Sequence, residues 1–263
     1  MKVVRLVSIL FACAVCSDAL SLQGAANGSH KLSEERSDRE HGNYVTIPDM
    51  KLLLCVIPKD ASQLFTKLFT SLGGEEPKQK GKIDAASKFK DSSWTKAVFL
   101  REPLDRLVSA FKDKCTGASR GECMNFHKKT DPSPTFKEFV AKIDEGQNPH
   151  FNPQSSLCQF DAHVHDYNYF GKLSADYDDV SKQVHEMIEM AMKRSGGGNQ
   201  KDVEKVINTY FPPSGPVTNN PHNHVGTEVK SYYADDEVLH SALRHYERDY
   251  EMLPLKKPDW AQS

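Results

Sequence analysis

VFLREPLDRLVSAFKDK, residues Val98–Lys114, is the stretch on which the fold turns. Ala97-Val98-Phe99-Leu100 is an apolar run with the composition of a strand, and it stops at Arg101. Glu102-Pro103 breaks the strand and places proline at the first position of a helix, where its missing N–H costs nothing. Leu104, Leu107, Val108 and Phe111 then recur at i, i+3, i+4 and i+7, one apolar helical stripe. An arginine at the carboxyl end of a buried strand, followed by a helix N-terminus, is where α/β proteins bind anions. Ser109 lies mid-helix off that stripe, where serine gains nothing in propensity and its hydroxyl can reach a ligand held by Arg101. A structural ion pair of Arg101 with Glu102 or Asp105 accounts for the same residues and stands beside the anion-site reading.

Working outward, Lys51–Ile57 (KLLLCVI) is a continuous apolar run, the mark of a parallel strand buried on both faces, and Pro58 ends it. Leu64, Phe65, Leu68, Phe69 and Leu72 predict a helix from Gln63 to Leu72, stopped by Gly73-Gly74. Glu75–Ser93 is charged and reads as a loop with at most a short helix. Further helices are predicted over Asp131–Ile143, Val180–Met192 and about Asp235–Glu251, and a strand within His163–Leu173. Asn148–Ser156 reads as irregular, and Asn208–His224, dense in Pro, Asn and Gly, as a loop. Strands alternating with helices, without repeats, predict an α/β fold around a parallel sheet.

The chain has 263 residues, 38% apolar, with a formal charge of −2, which suits one large domain or two small ones and argues against nucleic acid as a partner. Lys2 and Arg5 precede an apolar stretch, Leu6–Cys16, followed by Ser17-Asp18-Ala19, the layout of a secretory signal peptide. The stretch is short of the roughly 20 residues that span a bilayer, so cleavage is favoured, with an uncleaved anchor as the alternative that would bring a membrane partner. The expected organisation is a signal peptide over 1–19, a flexible lead-in over 20–48, a folded domain over 49–254 and a tail over 255–263. Asn27-Gly28-Ser29 is a glycosylation sequon. Of six cysteines, Cys13 and Cys16 lie in the leader, leaving Cys55, Cys115, Cys123 and Cys158. Cys55, inside an apolar strand, reads as a buried free thiol. Cys115 and Cys123 flank a Gly-containing loop and suit a local disulfide in an oxidising compartment, although four cysteines permit three pairings.

Pro58-Lys59-Asp60-Ala61-Ser62, after the first strand, occupies the position of a phosphate loop. It lacks the Walker A glycines, which counts against an ATPase or kinase, and a solvated Lys59 is the alternative reading. His163-Val164-His165, on the predicted strand, points two imidazoles to one side without a third ligand nearby, and His222-Asn223-His224 is similar. No metal is expected.

REPLDRLVSAFKDK resembles the 3′-phosphate-binding segment, roughly R-[DE]-P-x-x-R-[LF]-x-S-[AG]-[YF], of the membrane-type carbohydrate sulfotransferases, the group that includes chondroitin, dermatan and heparan sulfotransferases. I-P-K-D-A-S-x-x-F is similar to that family's V-P-K-x-[AG]-[CS]-x-x-[FW] loop for the 5′-phosphosulfate of 3′-phosphoadenylyl sulfate (PAPS). The resemblance implies a P-loop-NTPase-like sulfotransferase fold with a central parallel sheet flanked by helices. It also implies transfer of a sulfuryl group from PAPS to a carbohydrate hydroxyl, without a metal, in the Golgi lumen or after secretion. Pro58, Lys59, Asp60, Ala61 and Ser62 would hold the phosphosulfate, with Lys59 at the transferring group, and Arg101 and Ser109 the 3′-phosphate. Asp60 departs from the pattern; beside a dianionic donor it should point outward or pair with a lysine such as Lys67. Asn148–Cys158 resembles the family's H-[WF]-x-P-x-x-x-x-C stretch near the acceptor, so His150 is the candidate base. Tyr169-Phe170-Gly171-Lys172-Leu173 resembles F-I-G-K-L-E, placing Lys172 by the nucleotide, and His224–Thr227 resembles a closing loop with Thr227 near the donor. The family's second cysteine after Cys158 is missing. A catalytically inactive secreted glycan-binding protein and a nucleotide-dependent phosphotransferase are the competing functions.

Overall fold

The computed structural model describes residues 43–75, 83–116, 123, 132–145, 148–197, 200–215 and 228–262. The leader, Asn27, His222, His224 and Thr227 lie outside these residues. Strands β1 (Asn43–Ile47), β2 (Leu52–Val56), β3 (Thr95–Arg101) and β4 (Tyr169–Leu173) form one sheet in that order. β2, β3 and β4 are parallel. β1 runs antiparallel to β2, with Asn43 opposite Val56, so the sheet is mixed and not wholly parallel. β1 also moves the start of the domain into the stretch read as lead-in. Its residues Tyr44–Ile47 are buried, and Lys51 in the left-handed region (φ 47°) closes the short turn into β2.

β2 alternates as its pleat requires. Leu52, Leu54 and Val56 join Phe65, Phe69, Val184 and Ile188 on one face. Leu53, Cys55 and Ile57 meet Phe89, Leu100, Cys158 and Phe160 on the other. Each fully buried Leu or Phe here contributes about 1.5–3 kcal/mol. Helices α1 (Ser62–Ser71), α6 (Tyr177–Ser195) and α7 (Gln200–Tyr210) cover the first face. α7 enters where the sequence had been read partly as loop: Val203, Ile207 and Phe211 bury its apolar side. Short helices α2 (Ala85–Lys90) and α5 (Phe160–His163) cover the second face.

A third, all-helical cluster joins α3 (Pro103–Phe111), α4 (Phe136–Val140), α8 (Glu228–Tyr232) and α9 (Asp236–His245). α4 is shorter than the predicted Asp131–Ile143 helix because Thr135 and Glu138 cap it reciprocally and the chain tightens into a 3₁₀ turn at Ile143–Glu145. The predicted terminal helix is broken at Tyr246, and α10 (Glu247–Met252) follows. The fully buried Tyr246 side chain donates to the Phe151 carbonyl at 2.7 Å. Within the predicted tail, Ala261 is buried and Trp260 stacks on Tyr233.

Two disulfides close the fold. Cys115–Cys123 is the local bridge expected from the sequence. Cys55 is not a free thiol: it is bonded to Cys158, with Cα atoms 5.8 Å apart, because both face the same layer. The predicted strand placement of His163 also fails. His163 ends α5 and bonds Asp166 at 2.7 Å, and His165 lies in the next turn. Among the described residues no helix is long and apolar enough to cross a membrane.

Candidate active site

After β2 the chain passes through Ile57–Ala61 into α1. Lys59 (φ 73°) and Ala61 (φ 54°) both adopt the left-handed conformation. Each costs about 1–2 kcal/mol for a residue with a Cβ. Ala61 is the N-cap of α1 and has no side-chain oxygen, so no side chain caps the first N–H groups. A cap is worth about 1 kcal/mol. Left-handed turns direct successive N–H groups into a concavity, and the helix dipole adds positive potential there. The loop thus carries strain and unmet donors in a form that an anion relieves.

Lys59 is half-buried, and its ammonium sits 3.2 Å from Asp113 Oδ2. Burial pulls its pKa below the usual lysine range, and Asp113 opposes that shift. Asp113 lies in the π-helical turn Lys112–Thr116 at the end of α3, with Lys114 Nζ 3.7 Å away.

Arg101, the last residue of β3, is 7% exposed. The ion-pair alternative is not what the geometry contains: the side chain pairs with neither Glu102 nor Asp105 within 4.0 Å. Its Nη1 reaches the Lys59 carbonyl at 3.4 Å, and its buried Nη2 has no partner among the described residues. A buried guanidinium N–H without a partner is costly and awaits an acceptor. Glu102 instead caps α3 through the Asp105 N–H (2.7 Å) and accepts from the Tyr250 hydroxyl. Burial raises its carboxyl pKa to about 7, with the Tyr250 bond acting against the rise. Burial also raises Asp105, while Arg101 lowers it. Ser109 is half-buried at i+4 from Asp105, so it shares a helix face with the carboxyl that feels the Arg101 charge.

Asp60 neither points outward nor pairs with the exposed Lys67. It turns inward, fully buried, with Oδ1 3.6 Å from Arg106 Nε. Burial drives its carboxyl up to about 7, against the pull of Arg106 and Arg101. Both of its carboxylate oxygens are buried without a hydrogen-bond partner among the described residues.

Arg106 is the central residue that sequence reasoning missed. Completely buried, it donates from Nε to the Pro58 carbonyl (3.0 Å), from Nη1 to Asn152 (2.8 Å) and from Nη2 to Pro149 (3.1 Å). The Pro58–Ser62 loop and the turn bearing His150 are thereby adjacent. His150 is half-buried, its Nδ1 2.8 Å from Asn148 Oδ1. Gln154 caps β3 with its amide, accepting from Arg101 N (3.1 Å) and donating to Arg101 O (2.8 Å). Asp249 accepts from the N–H groups of Gln154 (3.0 Å) and Ser155 (2.7 Å), fixing the same turn from α10. Lys172 is exposed on edge strand β4, opposite Leu100 and one pair from Arg101. Its neighbour Gly171 is obligatory, because a Cβ there would lie 2.3 Å from the Phe99 ring.

Lys59, Arg101 and the His150 turn are thus gathered at the carboxyl ends of β2 and β3, where two cations lie beside the uncapped start of α1. A model of the sulfotransferase family matches residues 42–256. The chain belongs to that family. No curated protein and no solved structure matches it. In this sulfotransferase the match begins one residue before β1, in accord with the strand that the sequence reading left out. Arg106 stands at the second fixed arginine of the R-[DE]-P-x-x-R pattern and has uncharged neighbours at i−3 and i+4, Pro103 and Ala110, but neither signal says what its side chain binds. Thr227 lies outside the described residues.

Proposed function

We propose that this sulfotransferase moves a sulfuryl group from PAPS to a hydroxyl of a carbohydrate. The observation that carries the reading is the buried Arg101 guanidinium, with an unpartnered Nη2, joined to a strained and uncapped phosphate loop. The donor supplies an activated S–O bond. The backbone N–H groups of the Pro58–Ser62 loop hold its 5′-phosphosulfate, and Lys59 places positive charge at the bridging oxygen as the S–O bond breaks. Arg101 and Ser109 take the 3′-phosphate, with Lys172 and Thr227 at the nucleotide's rim. His150 accepts the hydroxyl proton as the new O–S bond forms. Asp60, the residue that departs from the family's loop pattern, is buried 3.6 Å from Arg106 and its charge is disfavoured by burial, which supports an active donor site. Two disulfides fit an oxidising compartment such as the secretory lumen.

Thermal denaturation with adenosine 3′,5′-bisphosphate tests the donor site. At 100 times its Kd a ligand adds about 2.7 kcal/mol of stability. ATP, which has no 3′-phosphate, should shift the transition much less, and Arg101→Ala should abolish the bisphosphate shift while the unliganded protein stays folded. Equal shifts with both nucleotides, or an unaltered shift in Arg101→Ala, refute the assignment. Radiolabelled sulfate appearing on arrayed glycans then identifies the acceptor.

A further inference from the structure

We infer that Arg106 is a positioning residue that locks the donor loop to the turn carrying His150, setting the distance between the donor and the accepting hydroxyl; this rests on the proposed transfer. All three of its nitrogens are bound to backbone carbonyls, and those carbonyls are not scattered. Pro58 directly precedes Lys59, whereas Pro149 and Asn152 bracket His150. The planar guanidinium fixes three directions at once, which a lysine ammonium at the end of a flexible stem does not.

The two segments need such a device. Pro58, Pro149 and Pro153 have no N–H to give, so neither segment can be stitched by a regular backbone ladder. The turn is also held from its other side, where the Phe151 carbonyl accepts from Tyr246 at 2.7 Å and lies 3.1 Å from His245 Nε2. Asp60, which belongs to the donor loop itself, lies 3.6 Å from Arg106 Nε. A displacement at either segment is therefore transmitted to the other through one rigid side chain. The reaction needs an in-line approach of hydroxyl oxygen to sulfur, and a misplacement of about 1 Å costs on the order of 100-fold in rate.

Arg106→Lys tests this, since it keeps the charge beside Asp60 and loses the fork. Expected are affinity for adenosine 3′,5′-bisphosphate within a few-fold of wild type, and slow donor hydrolysis by water similarly preserved. Transfer to a glycan hydroxyl should fall about 100-fold. In the ligand-free variant, backbone amides of residues 57–61 and 148–152 should lose hydrogen-exchange protection together. Unchanged transfer overturns the inference, as does an equal fall in binding, hydrolysis and transfer, or wild-type protection at 148–152. Failure of wild-type protein to bind the bisphosphate sinks the donor reading instead, and the ligand-free exchange result still decides the role of Arg106. Should the lysine variant not fold, the Arg101→Ala protein labelled with 15N-arginine gives the answer, because the remaining described arginines are exposed. One guanidinium with slowly exchanging, individually resolved protons is expected. Free-arginine exchange at every arginine side chain refutes the lock.

Discussion

Replacing both Cys55 and Cys158 with alanine removes the bridge between β2, which leads into the Pro58–Ser62 loop, and the segment that follows the His150 turn. The closed loop spans a sequence separation of 103, and the chain-entropy relation ΔS ≈ −2.1 − 1.5R ln n converts this to about 4.7 kcal/mol at 25 °C. For Cys115–Cys123, with a separation of 8, the same relation gives about 2.5 kcal/mol. Domains of this kind are stable by only about 5–15 kcal/mol, so losing the long bridge consumes a third or more of the total. Urea denaturation followed by fluorescence reads the difference, because Trp94 packs against the cluster containing Cys55 and Cys158. The long-bridge double variant should lose about 2 kcal/mol more than the Cys115→Ala/Cys123→Ala protein. Adding reductant to the latter breaks the long bridge with both sulfurs in place, which separates loop entropy from the cavity left by alanine. If the short-bridge variant loses as much as the long-bridge one, the loop-closure reasoning is refuted.

His150→Ala should lower glycan sulfation about 10²–10⁴-fold with bisphosphate affinity unchanged, and preserved steady-state rates would assign proton removal to another residue. Asp60 and Glu102, each raised by burial to about 7, hold protons in the folded protein that the unfolded chain releases near pH 4. Their contribution to stability is complete below about pH 4 and is lost as pH rises through about 7. The urea midpoint should therefore fall across that window, and Asp60→Asn should flatten, though not abolish, the fall. A midpoint slope identical in variant and wild type would show that Asp60 does not titrate there.

The strands β2 and β3 and the helices α1, α3 and α6 were legible because apolar periodicity carries them. β1 was not, since five residues after a polar stretch give too short a pattern. α9 and α10 read as one helix because the stripe of apolar residues continues through Tyr246, and the break comes from that side chain's burial against Phe151. Among site residues, Lys59 and Arg101 announce themselves by their position after apolar strands. Arg106, Gln154 and Asp249 do not, because polar residues default to the surface and only the assembled fold shows what they bind. Asp60 was visible, but its direction was not. The pairing of Cys55 with Cys158 likewise depends on a contact between distant segments.

The direction of β1 has a practical consequence. Because Asn43 lies opposite Val56, polypeptide arriving from upstream enters the domain at the same end of the sheet as the phosphate loop. A group fused directly to Asn43 would therefore sit at the end of the sheet that carries Lys59 and Arg101. The length of spacer kept ahead of Asn43 in such a fusion then becomes a variable of access to that end of the sheet.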